Sequence, residues 1–389
     1  MIMADIIIAG IGQTPVGEHW DRSLRSLAGQ AIQAALQDSG GLKPQALYVG
    51  NMLAANLSRQ AHLGALLADY SGLTGIEAET VEAGGASGGA ALRQGFLAVS
   101  SGLVDVALVI GVEKFTDVIG PDLEAALATL TDADYESTQG LTLTAQAALL
   151  AHRYMHENQV PVDGLAGFPL TAHANGAGNK NAMYRKAIAL EAYQKADLVS
   201  EPMNIFDVAP NADGAAALVL TRGEILPKDH PHPLVRLAAS TIASDSLALA
   251  DRSDPLWFAA AQVSAEMAFQ KAGITREQVD LFEYYDAFSI FAALSLEAAG
   301  FAERGKGWKL AGDGSIALTG QLPCASLGGL KARGNPGGAT GVYQAVEAAM
   351  QLRGQAGANQ IGGARYALIQ CLGGPASIAI THILEKVDD

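Results

Sequence analysis

Cysteine is scarce in this chain of 389 residues: Cys324 and Cys371 are the only two. That excludes a disulfide scaffold and a zinc site assembled from CxxC pairs, and no other metal site is expected. Sparse thiols suit a reducing cytosol, so a cytoplasmic location is expected. Basic residues are short as well. Against 40 Asp and Glu stand 25 Lys and Arg, a formal net charge of −15. Phosphate binding draws on clustered Lys and Arg, so nucleic acid and an anionic membrane are poor partners for such a surface. Aromatic residues are 6% of the chain, too few for a base-stacking platform. No apolar run reaches the ~18 residues of a membrane span. No Lys or Arg precedes the first apolar run, which follows Asp5, so a signal peptide is not expected.

What is abundant is apolar residues, 49% of the total, and glycine, 44 in all. This is the composition of a packed globular protein. The run Ile6-Ile7-Ile8 before Gly10 and Gly12 predicts a buried strand. Leu24, Leu27, Ala28, Ile32 and Leu36 follow at helical spacing. Strand-like runs recur at 46–49, 78–82, 104–111 and 213–220, with helical stretches at 61–67 and after Ala86. Such alternation indicates βαβ units and a mostly parallel sheet. Residues 116–204 break the rhythm. They contain a helical stretch near 142–156 and a polar loop at 173–179, and read as an insertion lying over the sheet. The scheme then repeats: strand 234–240, helix 256–272, strand 281–285, a helix reaching Leu352, and strands 366–372 and 377–384. The chain therefore divides into a first half, 1–115 with 205–225, the insertion 116–204, and a second half, 226–389. The repetition suggests a duplication, with two sheets facing each other across shared central helices.

Each half carries a glycine-rich turn that opens a helix: Gly84-Gly85-Ala86-Ser87-Gly88-Gly89 in the first and Gly334-Asn335-Pro336-Gly337-Gly338 in the second. Such a turn offers free backbone N–H groups and the positive end of a helix dipole. It can bind phosphate, or hold a nucleophile and stabilise an oxyanion. Neither turn matches GxxxxGK[ST] or a GxGxxG that follows the first strand, which leaves nucleotide binding without a motif. Close packing of two central helices also needs Gly and Ala, and stands as the alternative. Two such turns at corresponding places favour a shared site.

The sequence resembles the thiolase superfamily, in particular the archaeal and sterol-carrier-type thiolases, from about Ala4 to Glu385. The segments that carry the likeness are Val81 to Ala90, Gly111-Val112-Glu113-Lys114, Asp213-Gly214-Ala215-Ala216-Ala217, Gly328 to Pro336 and Gly338-Ala339-Thr340-Gly341. The resemblance implies an α/β thiolase fold: two βαβαβαββ halves in five αβαβα layers. It also implies a homodimer, paired through the strand near Val104 to Ile110. Three of the four catalytic motifs of that family are altered. Cys-x-Ser reads Gly85-Ala86-Ser87, so the nucleophile position holds glycine. The second motif, Asn-Glu-Ala-Phe or His-Asp-x-Phe, reads Tyr285-Asp286-Ala287-Phe288, and Gly-His-Pro reads Gly334-Asn335-Pro336. Cys-x-Gly is kept as Cys371-Leu372-Gly373.

These changes bear directly on the chemistry. Glycine cannot accept an acyl group, so thiolysis through a thioester on residue 85 has no nucleophile. Asn335 cannot take a proton but still donates a hydrogen bond. By the resemblance, Cys371 is the acid/base at the substrate α-carbon; a buried strand thiol is the plain alternative. Tyr285 stands as acid or base on a hydroxyl, with a core tyrosine as its alternative. Asn335 and the backbone N–H groups of Gly85 and Gly374 are the expected oxyanion donors. Ser87, His173, Asp286 and Phe288 are the expected substrate contacts, His173 being otherwise a solvated loop residue. Some thiolase-like steroid side-chain aldolases also lack the cysteine and carry a Tyr-Asp-x-Phe motif. The expectation is aldolase-like cleavage or formation of a carbon–carbon bond in an acyl-CoA, without an acyl-enzyme. A non-catalytic acyl-CoA-binding or scaffolding subunit is the alternative, and an acetyl-CoA C-acyltransferase the third. Coenzyme A enters as a substrate thioester, with no permanently bound cofactor. Lys180, Arg185 and Lys186 are the only candidates to meet its phosphates, and the archaeal resemblance implies a zinc-ribbon/OB-fold companion protein that supplies the rest.

Overall fold

The computed structural model describes residues 5–387. Residues 1–4 and 388–389, at the ends of the two expected halves, lie outside the described residues, and so does Ala4 at the start of the resemblance. The first half supplies five strands: β1 (Ile6–Gln13), β2 (Ala46–Gly50), β3 (Glu77–Val81), β4 (Val106–Glu113) and β5 (Gly214–Arg222). The second supplies β6 (Val235–Ser244), β7 (Leu281–Glu283), β8 (Tyr366–Gly373) and β9 (Ile378–Lys386). They form one nine-stranded sheet in the order β3-β2-β4-β5-β1-β6-β9-β8-β7. The two halves are thus two arms of one sheet, where two separate sheets were expected. A single residue pair, Ile7 with Arg236, joins β1 to β6. So narrow a junction lets the arms turn toward each other and enclose helices between them.

The sheet is mixed, which corrects the mostly parallel expectation. β2 pairs in parallel with β3 and β4, and β7 with β8, but from β4 across the sheet to β8 each strand pairs antiparallel with the next. The long antiparallel strands pack on both faces. β4 and β9 are buried along nearly their whole length, so they read as continuous apolar runs and imitate parallel strands in sequence.

Helices α1 (Leu24–Asp38) and α2 (Leu63–Tyr70) cover the outer face of the first arm. Ser23 caps α1 by accepting from Ser26 N–H, which satisfies one of the orphan donors of its first turn. Helix α3 (Ser87–Ser101) follows the first glycine-rich turn, and Gly102 at φ +76° closes it. In the insertion come α4 (Leu143–Asn158) and α5 (Gly167–Ala177). Helices α6 (Ala259–Ala272), α7 (Ser289–Ala298) and α8 (Thr340–Leu352) complete the second half. α3 and α8 lie side by side and touch strands of both arms; α6 covers the outer face of the second arm. The result is five layers, α/β/α/β/α, the thiolase arrangement.

Two expectations need correction. β4 lies inside the sheet between β2 and β5, so it is not a free edge for dimer pairing; the exposed edge of the first arm is β3, with the sequence Glu-Ala-Glu-Thr-Val. The polar loop expected at 173–179 is mostly helical, its first residues forming the end of α5. His173 and Asn175 are buried there because α5 packs on the segment Gly329–Arg333, and Asn175 donates to the carbonyls of Cys324 and Ala325. Helix α7, buried from end to end, was not anticipated. It has no polar face, so no 3.6-residue alternation marks it.

Candidate active site

The two central helices approach so closely that glycine is required at the contact. A Cβ on Gly341 would stand 2.3 Å from the Gly89 nitrogen, and one on Gly88 2.8 Å from the Gly338 carbonyl. Gly85, one turn earlier, meets something else. A Cβ there would lie 2.1 Å from Tyr285 Oη, 2.7 Å from its Cζ and 2.8 Å from the Leu372 carbonyl. The tyrosine hydroxyl fills the position where a residue-85 side chain would begin. Tyr285 is 6% exposed. Burial, reinforced by Cys371 and Asp286, holds its pKa far above the usual phenol value, so the group is a protonated donor.

Cys371 on β8 points between the central helices, where its Sγ would touch a Cβ on Gly89 or Gly341. The thiol donates to Gln344 Oε1 at 3.2 Å. Gln344 in turn donates from Nε2 to the carbonyls of Glu283 and Tyr284, 3.1 and 2.7 Å away. One side chain of α8 therefore ties the thiol to the segment that carries Tyr285. Burial pushes the thiol up to about 12, and Arg333 is the charge that opposes it. That arginine is itself buried in an ion pair with Glu347 at 2.7 Å and lies over the Tyr343 ring.

Asn335 is held by its surroundings in one orientation. Its Oδ1 accepts from Gly337 N–H at 3.1 Å and Thr340 Oγ1 at 3.3 Å. This leaves the Nδ2 hydrogens as its unspent donors. Gly338, three residues on, donates to Glu113 Oε2, and the same carboxylate accepts from Asn51 Nδ2 and the N–H groups of Met52 and Leu53. Glu113, raised by burial to about 7, thereby anchors the second glycine-rich turn to the first half. The extended segment Val208–Ala212 runs along both remaining motifs. Ala209 N–H donates to the Ala287 carbonyl, Val208 bridges Phe288, and Asn335 exchanges hydrogen bonds with Pro210 and Ala212.

The other face of that segment is one wall of a cavity of about 1090 Å³. His173, Lys331, Phe206, Tyr184, Arg185 and Lys186 also line it. Gly85, Tyr285 and Cys371 are not on its surface; Asn211, bridged to Asn335, is the link between cavity and motifs. Arg185 and Lys186 are exposed at the rim, whereas Lys180 is exposed and off the lining. His173 stacks on Tyr184 and meets the edge of Phe206, each at 5.8 Å. Burial lowers its pKa.

The remaining expected contacts have structural partners of their own. Ser87 is fully buried; its hydroxyl donates to Gly84 O at 2.6 Å and accepts from Ala83 N–H, closing its own turn. Asp286 accepts from Leu330 N–H at 2.7 Å and secures the tight turn Gly329–Arg333. Phe288 packs edge-on against Phe291 in the core of the second half. Gly374 lies beside Gly84 and Gly373 on a separate cavity of about 250 Å³. Sequence reasoning did not single out Lys331, Arg333, Gln344 or Val208–Ala212 as site residues. Two cations between Gly328 and Gly334, in an otherwise small and apolar stretch, were the available signal for the first two.

Comparison with known proteins agrees with this architecture. A family model of the thiolase N-terminal domain matches residues 6–224, and one described as thiolase C-terminal domain-like matches residues 241–386. An acetyl-CoA acetyltransferase of Methanothermobacter thermautotrophicus is 39% identical, covering 99% of this chain and 100% of its own. A 17-hydroxy-3-oxo-4-pregnene-20-carboxyl-CoA lyase of Mycobacterium tuberculosis is 26% identical, over 95% of this chain and 96% of its own. The solved Ltp2-ChsH2(DUF35) aldolase superposes with a TM-score of 0.83 at 25% identity, covering 99% of this chain and 98% of its own. With both domains matched in order and a relative of this identity along its whole length, the chain belongs to the thiolase superfamily.

Proposed function

We propose that this protein makes or breaks a carbon–carbon bond beside an acyl thioester without forming an acyl-enzyme, and that Tyr285 carries the proton of the β-oxygen. The observation that carries this is the contact between Gly85 and Tyr285: the nucleophile's place holds no side chain, and a phenol fills it. In the cleavage direction the β-hydroxyl gives its proton to the Tyr285 phenolate and the Cα–Cβ bond breaks. The electron pair moves into the thioester as an enolate, whose oxygen is held by Asn335 Nδ2–H. Backbone N–H groups at Gly85 and Gly374 are further donors for it. The Cys371 thiol then protonates Cα. One proton returns from Tyr285 to Cys371 to restore the pair. The working form holds one proton fewer than the free protein, in which burial keeps both groups protonated.

The lyase and aldolase names among the relatives support this chemistry over acyl transfer. The acetyltransferase relative supports the thioester class; acyl transfer by this chain, the third possibility, has no nucleophile at Gly85. Coenzyme A is the thioester carrier in this proposal, with Arg185 and Lys186 at the rim facing its phosphates. That is few cations for a ligand with several phosphates, so a companion protein completes the carrier site. The Ltp2-ChsH2(DUF35) pairing is the precedent for it. We further propose a homodimer formed along β3, the edge strand of the first arm, which pairs with β2 on one side and leaves the backbone groups of its other side open. Among the described residues no helix is long and apolar enough to cross a membrane, which is compatible with a cytoplasmic protein. A non-catalytic acyl-CoA-binding subunit is favoured by one observation, the Cys371 thiol committed to Gln344.

Turnover of a panel of β-hydroxyacyl-CoA thioesters, with the companion supplied, separates these. Release of a ketone or aldehyde with the shortened acyl-CoA is expected. Silence across the panel would leave the binding subunit.

A further inference from the structure

We infer that the buried end of the large cavity reads a hydroxyl group on a bulky acyl substrate, with His173 Nδ1 accepting from that hydroxyl and Lys331 Nζ donating to it. The inference rests on the acyl-thioester function proposed above and names the substrate class it selects. His173 is 6% exposed, and its Nδ1 is buried with no partner among the described residues. The Lys186 backbone acts on the ring as an acceptor, and with Nδ1 partnerless the ring hydrogen belongs on the other nitrogen. Burial, with the Lys331 ammonium nearby, keeps the ring neutral. A neutral imidazole that donates from one nitrogen presents a lone pair at the other, so the missing partner is a donor. Left without one, a buried acceptor costs stability that a ligand can recover.

Lys331 is 2% exposed and lies in the same wall. Its Nζ donates to the carbonyls of Asp207 at 2.7 Å and Phe206 at 3.4 Å, which uses two of three hydrogens. Phe206 joins the pair: its ring edge meets His173 and its carbonyl meets Lys331. An open acceptor and an open donor thus flank one residue. A hydroxyl satisfies both at once. A methyl end leaves both unpaired. A carboxylate has no hydrogen for Nδ1, and the ammonium already has the Asp286 and Asp207 carboxylates near it, so no excess positive charge invites another anion.

The rest of the lining suits a large apolar body: Met183, Ile188, Val199, Ile205 and Val208 face the space. Its volume, about 1090 Å³, lies at the top of the ~300–1,000 Å³ typical of small-molecule sites and far exceeds an acetyl group. The exposed cations Arg185 and Lys186 also line the cavity.

The test uses N-acetylcysteamine thioesters, which carry no phosphate, of chains from six to sixteen carbons ending in methyl, hydroxyl or carboxylate. Calorimetry on the full chain gives dissociation constants without turnover, so its outcome is independent of whether the protein is a lyase. At one or more lengths the hydroxyl end should bind roughly tenfold tighter than the methyl end, as one net hydrogen bond predicts. His173→Phe, which keeps the stacking on Tyr184, and Lys331→Met, which keeps the chain length, should each abolish that preference; the first suffices if the second fails to fold. No hydroxyl preference at any length, no binding of any hydroxylated compound, a preference for carboxylate, or a preference that survives His173→Phe would overturn the inference.

Discussion

Gly341 and Gly88 meet backbone first across the central helix pair, whereas Gly85 meets the hydroxyl of a side chain first, with the Leu372 carbonyl behind it. All three belong to glycine-rich stretches that look alike in sequence. At the helix contact the absent side chain serves packing, because neither backbone can retreat from a Cβ. At residue 85 it makes room for a phenol that sits beside the thiol-bearing strand and the Asn335 turn. One residue type thus has two uses within four positions of the chain, and only the identity of the neighbour tells them apart.

The largest effect that sharpens this contrast is on turnover. Tyr285→Phe keeps the ring against Gly85 and removes only the hydroxyl. Its turnover of a β-hydroxyacyl-CoA should fall by about 10²–10⁴-fold, as for loss of a positioned acid or base, with the melting temperature unchanged. Unaltered turnover would make the tyrosine a packing residue, like the glycines of the helix pair.

The pH profile comes next in size. Burial raises both Tyr285 and Cys371, the latter to about 12, and the working form needs one proton removed from the pair. Turnover should therefore rise with pH, by roughly tenfold per unit between pH 6 and 9, without reaching a plateau. A profile flat over that window would show that neither buried group is the one that titrates.

Stability separates the glycines themselves. Gly341→Ala forces a Cβ against the Gly89 nitrogen, and overpacking of backbone on backbone should cost about 3 kcal/mol, seen as a lower urea midpoint. Gly85→Ala presses first on the Tyr285 side chain and then on the Leu372 carbonyl and should cost less, about 2 kcal/mol, while turnover is lost because Tyr285 is displaced. Equal destabilisation by the two would erase the distinction.

Much of the architecture was legible in the sequence. The apolar runs of β1, β4, β8 and β9 and the spacing of α1 mark those elements because burial dictates their residues directly. Strand direction was not legible, since β5 and β9 are covered on both faces and alternate no more than parallel strands do. The glycine at 85 was visible; that Tyr285 fills its space was not, because residues 200 apart meet only through the fold. His173 looked like part of a solvated loop, as its neighbours Asn175, Gly176 and Gly178 are turn formers. Asn175 instead spends its amide on the carbonyls of Cys324 and Ala325, which lets the segment remain helical and buried. Lys331 and Arg333 are charges in the interior, and composition rules place such residues outside; their partners, the Phe206 and Asp207 carbonyls and Glu347, lie in distant segments or the next helix.

Intact-mass spectrometry of the chain quenched during turnover of a β-hydroxyacyl-CoA, with the companion present, tests most directly whether the chemistry proceeds without an acyl-enzyme. The account predicts an unmodified chain mass while the shortened acyl-CoA and carbonyl product accumulate. A chain carrying one acyl group, mapped to Ser87 or Cys371, would contradict it.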